Sequence, residues 1–108
     1  MSPEQAIAAL DRQIALHGDD AQIQRGTGAA APLRLWVREY QPQELQGGVT
    51  QGDRKVVVSP TDVAKAGLPD LKKLDKLTIA GRRTNVEYAN PTRIRGVVVR
   101  WDLNVRGS

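Results

Sequence analysis

The chain has 108 residues, enough for one domain whose core buries roughly two-thirds of the unfolded surface. It contains no cysteine, which excludes a disulfide framework and a cysteine-ligated zinc site. Its net charge of +4 is uneven, with −3 over residues 1–53 and +7 over residues 54–108, so the domain is electrostatically polar and suited to meet nucleic acid or the acidic face of another copy.

Ser2-Pro3-Glu4-Gln5 has the form of a helix start: Ser2 caps, Pro3 suits the first helical position and Gln5 stands where a capping-box partner belongs. Ile7, Leu10 and Ile14 recur at helical spacing, and Gly18 is a natural stop. The N-terminal helix is therefore expected within residues 1–17, spanning 3–17. No window approaches the roughly 18 consecutive apolar residues of a membrane helix. The first 20 residues hold four acids and no long apolar run, so no secretory leader is expected. Asp19-Asp20 reads as a turn, and two adjacent carboxylates without further ligands do not make a cation site.

A β-rich body is expected from 21 to 107. Residues 21–25 form a short strand candidate, and Gly26 to Pro32 a turn region. Leu33, Leu35 and Val37 alternate with Arg34, Trp36, Arg38 and Tyr40, the pattern of a long half-buried strand. Residues 41–53 are polar and glycine-rich, including Gln46, Gly47 and Gly48, and are expected to form a mobile loop and contact arm. Arg54 to Val58 is a strand, Ser59-Pro60 caps a short helix, and Gly67 ends it. After a connector from Leu68 to Leu74, three strands follow as a meander. In the last of them Val97, Val99, Trp101, Leu103 and Val105 share one face and are expected to point into the core. The fold class is mainly β: a small antiparallel barrel or sandwich with an N-terminal helix and one short helix.

Catalytic chemistry finds little purchase. His17 is the one imidazole, and it sits where a helix C-terminus favours a cation. Ser2 and Ser59 read as caps, Ser108 is terminal, and the glycines follow no phosphate-cradling pattern. The expectation is a non-enzyme with no cofactor and no metal. Arg34, Trp36, Arg38 and Tyr40 place basic and aromatic groups on one strand face. Single-stranded nucleic-acid platforms use such faces. The competing and favoured expectation is an outer face packed under a helix or partner.

Four segments then belong together: Val56-Val-Val-Ser-Pro-Thr-Asp-Val63, Lys76-Leu-Thr-Ile-Ala-Gly-Arg-Arg83, Asn85-Val-Glu-Tyr-Ala-Asn-Pro91 and Gly96-Val-Val-Val-Arg-Trp-Asp-Leu-Asn-Val-Arg106. They resemble the small head–tail joining proteins of long-tailed bacteriophages, the head-completion or stopper group that includes the lambda-like attachment protein. Leu77, Ile79, Gly81, Val86, Pro91, Trp101 and Leu103 take the family's pattern positions. Two features depart from it: Arg82-Arg83 after Gly81, and a helix where the family has a flexible arm.

The resemblance implies a structural connector in the virion, at the junction between the portal or adaptor of the filled head and the tail. It implies a monomer in isolation, made in the host cytoplasm, that becomes a ring in the particle, commonly six-fold. Non-specific contact with packaged DNA in the channel is a further implication. A tail-terminator or adaptor protein of the same fold, and a small nucleic-acid-binding β-barrel, are the alternatives. Candidate contact residues are Arg34, Arg38, Gln46, Gly47, Gly48, Arg82, Arg83, Arg93 and Arg95; the last four are read either as ordinary solubilising surface or as one basic contact patch.

Overall fold

The computed structural model describes residues 2–39 and 53–107, with Glu39 described in its backbone alone. The elements are α1 (Pro3–His17), β1 (Asp19–Gln24), β2 (Ala31–Glu39), β3 (Arg54–Val58), α2 (Pro60–Lys65), β4 (Lys76–Ile79), β5 (Arg82–Ile94) and β6 (Val97–Gly107). The strands close into a six-stranded barrel in the order β1-β2-β3-β6-β5-β4, every pairing antiparallel. The expectation of a mainly β barrel with two helices is met.

The helix starts as its residues dictate. Ser2 Oγ accepts from Gln5 N at 3.2 Å while Gln5 Oε1 accepts from Ser2 N at 3.0 Å, a complete capping box. Gly18 ends α1 for a reason of space. A Cβ there would collide with Ile14 O, and would lie 2.8 Å from Leu35 O and from Ile14 Cγ2. Helix and β2 can meet this closely only at a glycine. Leu10 and Ile14 of α1 then cover Val57 on the barrel's outer wall, with Trp36 alongside. Val56 and Val58, one residue either side, fill the interior, so β3 is buried on both faces.

Two-residue turns join β4 to β5 and β5 to β6. Ala80-Gly81 and Arg95-Gly96 both have φ positive at each residue, near 52° and then 78–79°. That is the signature of a type I′ hairpin, whose twist matches the strands it joins.

The inward stripe of β6 holds for four of its five members. Val99, Trp101, Leu103 and Val105 are buried, but Val97 is 46% exposed because it lies beside the β5–β6 turn. The opposite face is not uniformly wet either: Asn104 is fully buried.

The antiparallel path sorts the connections to two ends of the barrel. At one end, the upper, lie the β1–β2 turn, α2, the connector into β4 and the β5–β6 hairpin. At the lower end lie the α1–β1 junction, the β4–β5 turn, and the chain ends of β2 and β3 from which residues 40–52 depart.

Candidate docking surfaces

Of the basic-aromatic face of β2, Trp36 packs against Leu10 and Ile14 of α1, Arg34 and Arg38 stay exposed, and Tyr40 lies outside the described residues. Trp36 stacks on His17 with ring centroids 5.9 Å apart, and the Arg38 guanidinium lies 5.3 Å over the same ring. Both groups lie against the indole, and for Trp36 the arrangement is the helix-covered outer face of the two expectations. Arg34 turns the other way along the sheet, 3.8 Å from Asp20.

Arg38 and Lys55 are cross-strand partners on the outer wall. Like charges directly opposite each other destabilise a sheet. The row continues through Asn104 to Tyr88. Beside it runs an open groove of about 510 Å³ lined by Lys55, Tyr88, Asn90, Thr92, Arg100 and Asp102. Arg100 is held by its neighbour Asp102, 3.0 Å away, in a pair that keeps contact with water. The groove therefore presents polar groups of both signs and an exposed tyrosine.

Arg82, Arg83, Arg93 and Arg95 do not share one patch. Arg82 and Arg83 open β5 at the lower end, whereas Arg93 is its last residue but one and Arg95 forms the tip of the β5–β6 hairpin at the upper end. An extended strand advances about 3.3 Å per residue, so residues close in sequence separate quickly. Arg83 reaches Gln24 on β1, at 3.2 Å.

Gln46, Gly47 and Gly48, with the rest of 40–52, lie outside the described residues. The last residue of the expected mobile loop, Asp53, is described and contradicts it there. Its side chain is 1% exposed and accepts from Asn104 Nδ2 at 3.0 Å and from Arg106 Nε and Arg106 NH2 at 2.8 and 3.1 Å. A buried carboxylate needs such donors, and Arg106 supplies a charge-assisted fork. Hydrogen bonding to Asp53 in turn raises the Arg106 pKa. Asn104 Oδ1 has no donor among the described residues. Nothing in the pattern of residues 41–53 marks Asp53 as different from its polar neighbours.

Two more polar clusters tie the upper end together. Asp11 of α1 accepts from Ser59 Oγ and, at 2.8 Å, from Thr61 Oγ1, joining the first helix to the start of the second. Burial raises the Asp62 pKa, and Asp11 nearby adds to it against Lys65 and Arg34. Arg25 clamps the connector by donating to Asp75 through Nε and NH2 at 3.0 and 2.9 Å. The same guanidinium donates to Asp70 Oδ1 and to the Asp70 carbonyl at 3.3 and 2.9 Å. These hydrogen bonds, Asp75 first, raise the Arg25 pKa.

The clamp sits under a turn. Asp75 N donates to Lys72 O at 3.3 Å, and Asp75 Oδ2 accepts from Lys72 N at 2.9 Å. Leu74, inside this turn, has φ of 76° and is 72% exposed. Sequence reasoning passed over it as part of a connector; an apolar residue between Lys72, Lys73 and Asp75 carries no pattern of its own.

No protein-family model matches this chain, and no curated protein matches it.

Proposed function

We propose that the protein is a non-catalytic connector that joins a filled phage head to its tail, acting as a homo-hexameric ring between the portal or adaptor and the tail's upper end. The observation that carries this proposal is the opposed equipment of the barrel's two ends. A hairpin tipped by Arg93 and Arg95 extends the upper end. Arg82, Arg83, exposed Asp19 and Asp20, and the departure points of residues 40–52 occupy the lower end. A joint between two different bodies needs two different surfaces facing apart. The closed barrel and its short second helix also accord with the resemblance to head–tail joining proteins. In a ring, neighbouring copies meet through unlike patches, and a chain that carries both exposed acids such as Asp19 and Asp20 and exposed arginines has groups of both signs to offer. Basic groups on the ring's lumen meet packaged DNA through its phosphates without reading sequence.

The test is complementation. A phage or prophage deleted for this gene should accumulate filled heads and separate tails, and the supplied protein should restore joined particles. Joined, infectious particles without it would overturn the proposal. Tight oligonucleotide binding by the isolated monomer, with a steep salt dependence, would move the protein to the nucleic-acid-binding class instead.

A further inference from the structure

Leu74 stands in a place that its side chain does not favour. The turn Lys72 to Asp75 is closed by the Asp75 N to Lys72 O hydrogen bond, and Leu74 is its third residue with φ of 76°. A type II turn needs a positive φ there and takes glycine or asparagine. A Cβ in that region is strained, and a branched apolar side chain gains nothing in return when it is 72% exposed. The turn is also held unusually firmly. Asp75 is 3% exposed and bound by Arg25 and Lys72 N. Leu74 N donates to Val86 O, and Val86 N to Asp75 O, both at 2.9 Å. The surroundings thus fix a strained backbone and aim a leucine at solvent. Lys72 and Lys73, both exposed, precede it, and neither has an acidic partner among the described residues.

We infer that Leu74 is a docking knob that enters an apolar, carboxylate-rimmed pocket on a neighbouring protein of the joint, with Lys72 and Lys73 pairing the rim. This rests on the connector proposal for the partner's identity. The pre-set turn lowers the ordering cost of binding, and charge beside an apolar anchor supplies steering and register. A membrane surface is the weaker match, because one leucine is a far smaller anchor than the paired signals that stable membrane attachment requires.

The experiment uses Leu74→Gly, with Leu74→Met and Ala80→Gly as controls. Leu74→Gly removes the knob and suits the positive φ, so its melting midpoint should be unchanged or higher. Joining of purified heads and tails should nevertheless fall about tenfold or more, as for a central anchor truncation. Leu74→Met keeps an apolar knob and should retain joining. Ala80→Gly relieves a positive φ at the other end of the barrel and should leave joining intact. Wild-type protein that joins heads to tails, with Leu74→Gly equally active, would overturn the inference and leave the connector proposal standing. Wild-type protein with no joining activity would overturn both. Binding of the wild type, but not Leu74→Gly, to phosphatidylcholine–phosphatidylserine vesicles would overturn the protein pocket in favour of a membrane.

Discussion

Replacing Arg25 by alanine is expected to cost far more than replacing a typical surface arginine. Arg25 gives two charge-assisted hydrogen bonds to an Asp75 side chain that is 4% exposed. After truncation only Lys72 N still donates to that carboxylate among the contacts described. Each lost hydrogen bond to a charged group is worth about 1.5–3 kcal/mol, and a buried charge left by its partner costs about 3–5 kcal/mol. The Asp70 contacts are lost as well, which loosens the connector above. The total expected for Arg25→Ala is therefore about 3–5 kcal/mol. Arg100→Ala is the control. Its pair with Asp102 leaves the two side chains 35% and 26% exposed, and such a pair is worth about 1 kcal/mol or less. Urea unfolding of both variants, with m-values compared to exclude a change in the denatured state, measures the difference. Equal costs for the two substitutions would refute the assignment of Arg25 as a clamp on a buried carboxylate.

Trp101→Ala should destabilise by about 3–5 kcal/mol, since Trp101 is 7% exposed in the barrel core, whereas Val97→Ala should cost under about 0.5 kcal/mol; equal midpoints would place the strand in the wrong register. Asp62 has a folded-state pKa raised above the ordinary 3.8 by burial, so the folded protein binds its proton more readily than the unfolded chain does. Its charge then detracts from stability, and the loss sets in as pH rises from about 3.8 through the raised value. Asp62→Asn should raise the melting midpoint at pH 7, and that gain should vanish below pH 3.8; a gain independent of pH would refute the burial argument. Charge reversal at Arg82 and Arg83, and separately at Arg93 and Arg95, should leave melting nearly unchanged while blocking joining by different routes, one at each end. Native gels that show both double mutants arrested at the same partner would speak against opposed docking surfaces.

Most of the fold was legible because its signals are local. Ser2 and Gln5 announce α1 through hydrogen bonds made within one turn. Strict alternation in β6 identifies the interior residues from Val99 to Val105. Closure of the barrel was less legible, since the pairing of β1 with β4 joins residues more than fifty positions apart. Alternation also says nothing about what covers an outer face. Val57 and Asn104 occupy outward positions, yet one lies beneath α1 and the other is fully buried beside Asp53. The candidate sites fared differently again. A run of arginines looks like a patch when read along the chain, but β5 carries Arg82 and Arg93 to opposite ends. Leu74 was invisible because its significance lies in a backbone angle, and leucine is not a residue from which a positive φ is inferred.

The hairpin itself shows how the upper end offers side chains rather than a strand edge. β4 pairs with β5 only as far as Asn85, so from Glu87 to Ile94 the described strands cover β5 on one side alone. Such an edge invites strand addition unless it is blunted. Pro91 stands in its middle, register shifts interrupt it between Val86 and Tyr88 and again between Thr92 and Arg93, and Arg93 adds charge near the tip. Proline has no N–H to give, and it is tolerated where its nitrogen faces an open edge. Together these features resist pairing with another chain and leave Tyr88, Asn90, Thr92 and the arginines exposed beside the edge. Pro91→Val restores an N–H and a strand-forming side chain at that point. The variant should keep the barrel, because Trp101 opposite it remains packed in the core, and should self-associate at lower concentrations than the parent does. Sedimentation velocity across a concentration series reads this directly. A folded variant that stays monomeric throughout would mean that the edge is protected by something other than Pro91.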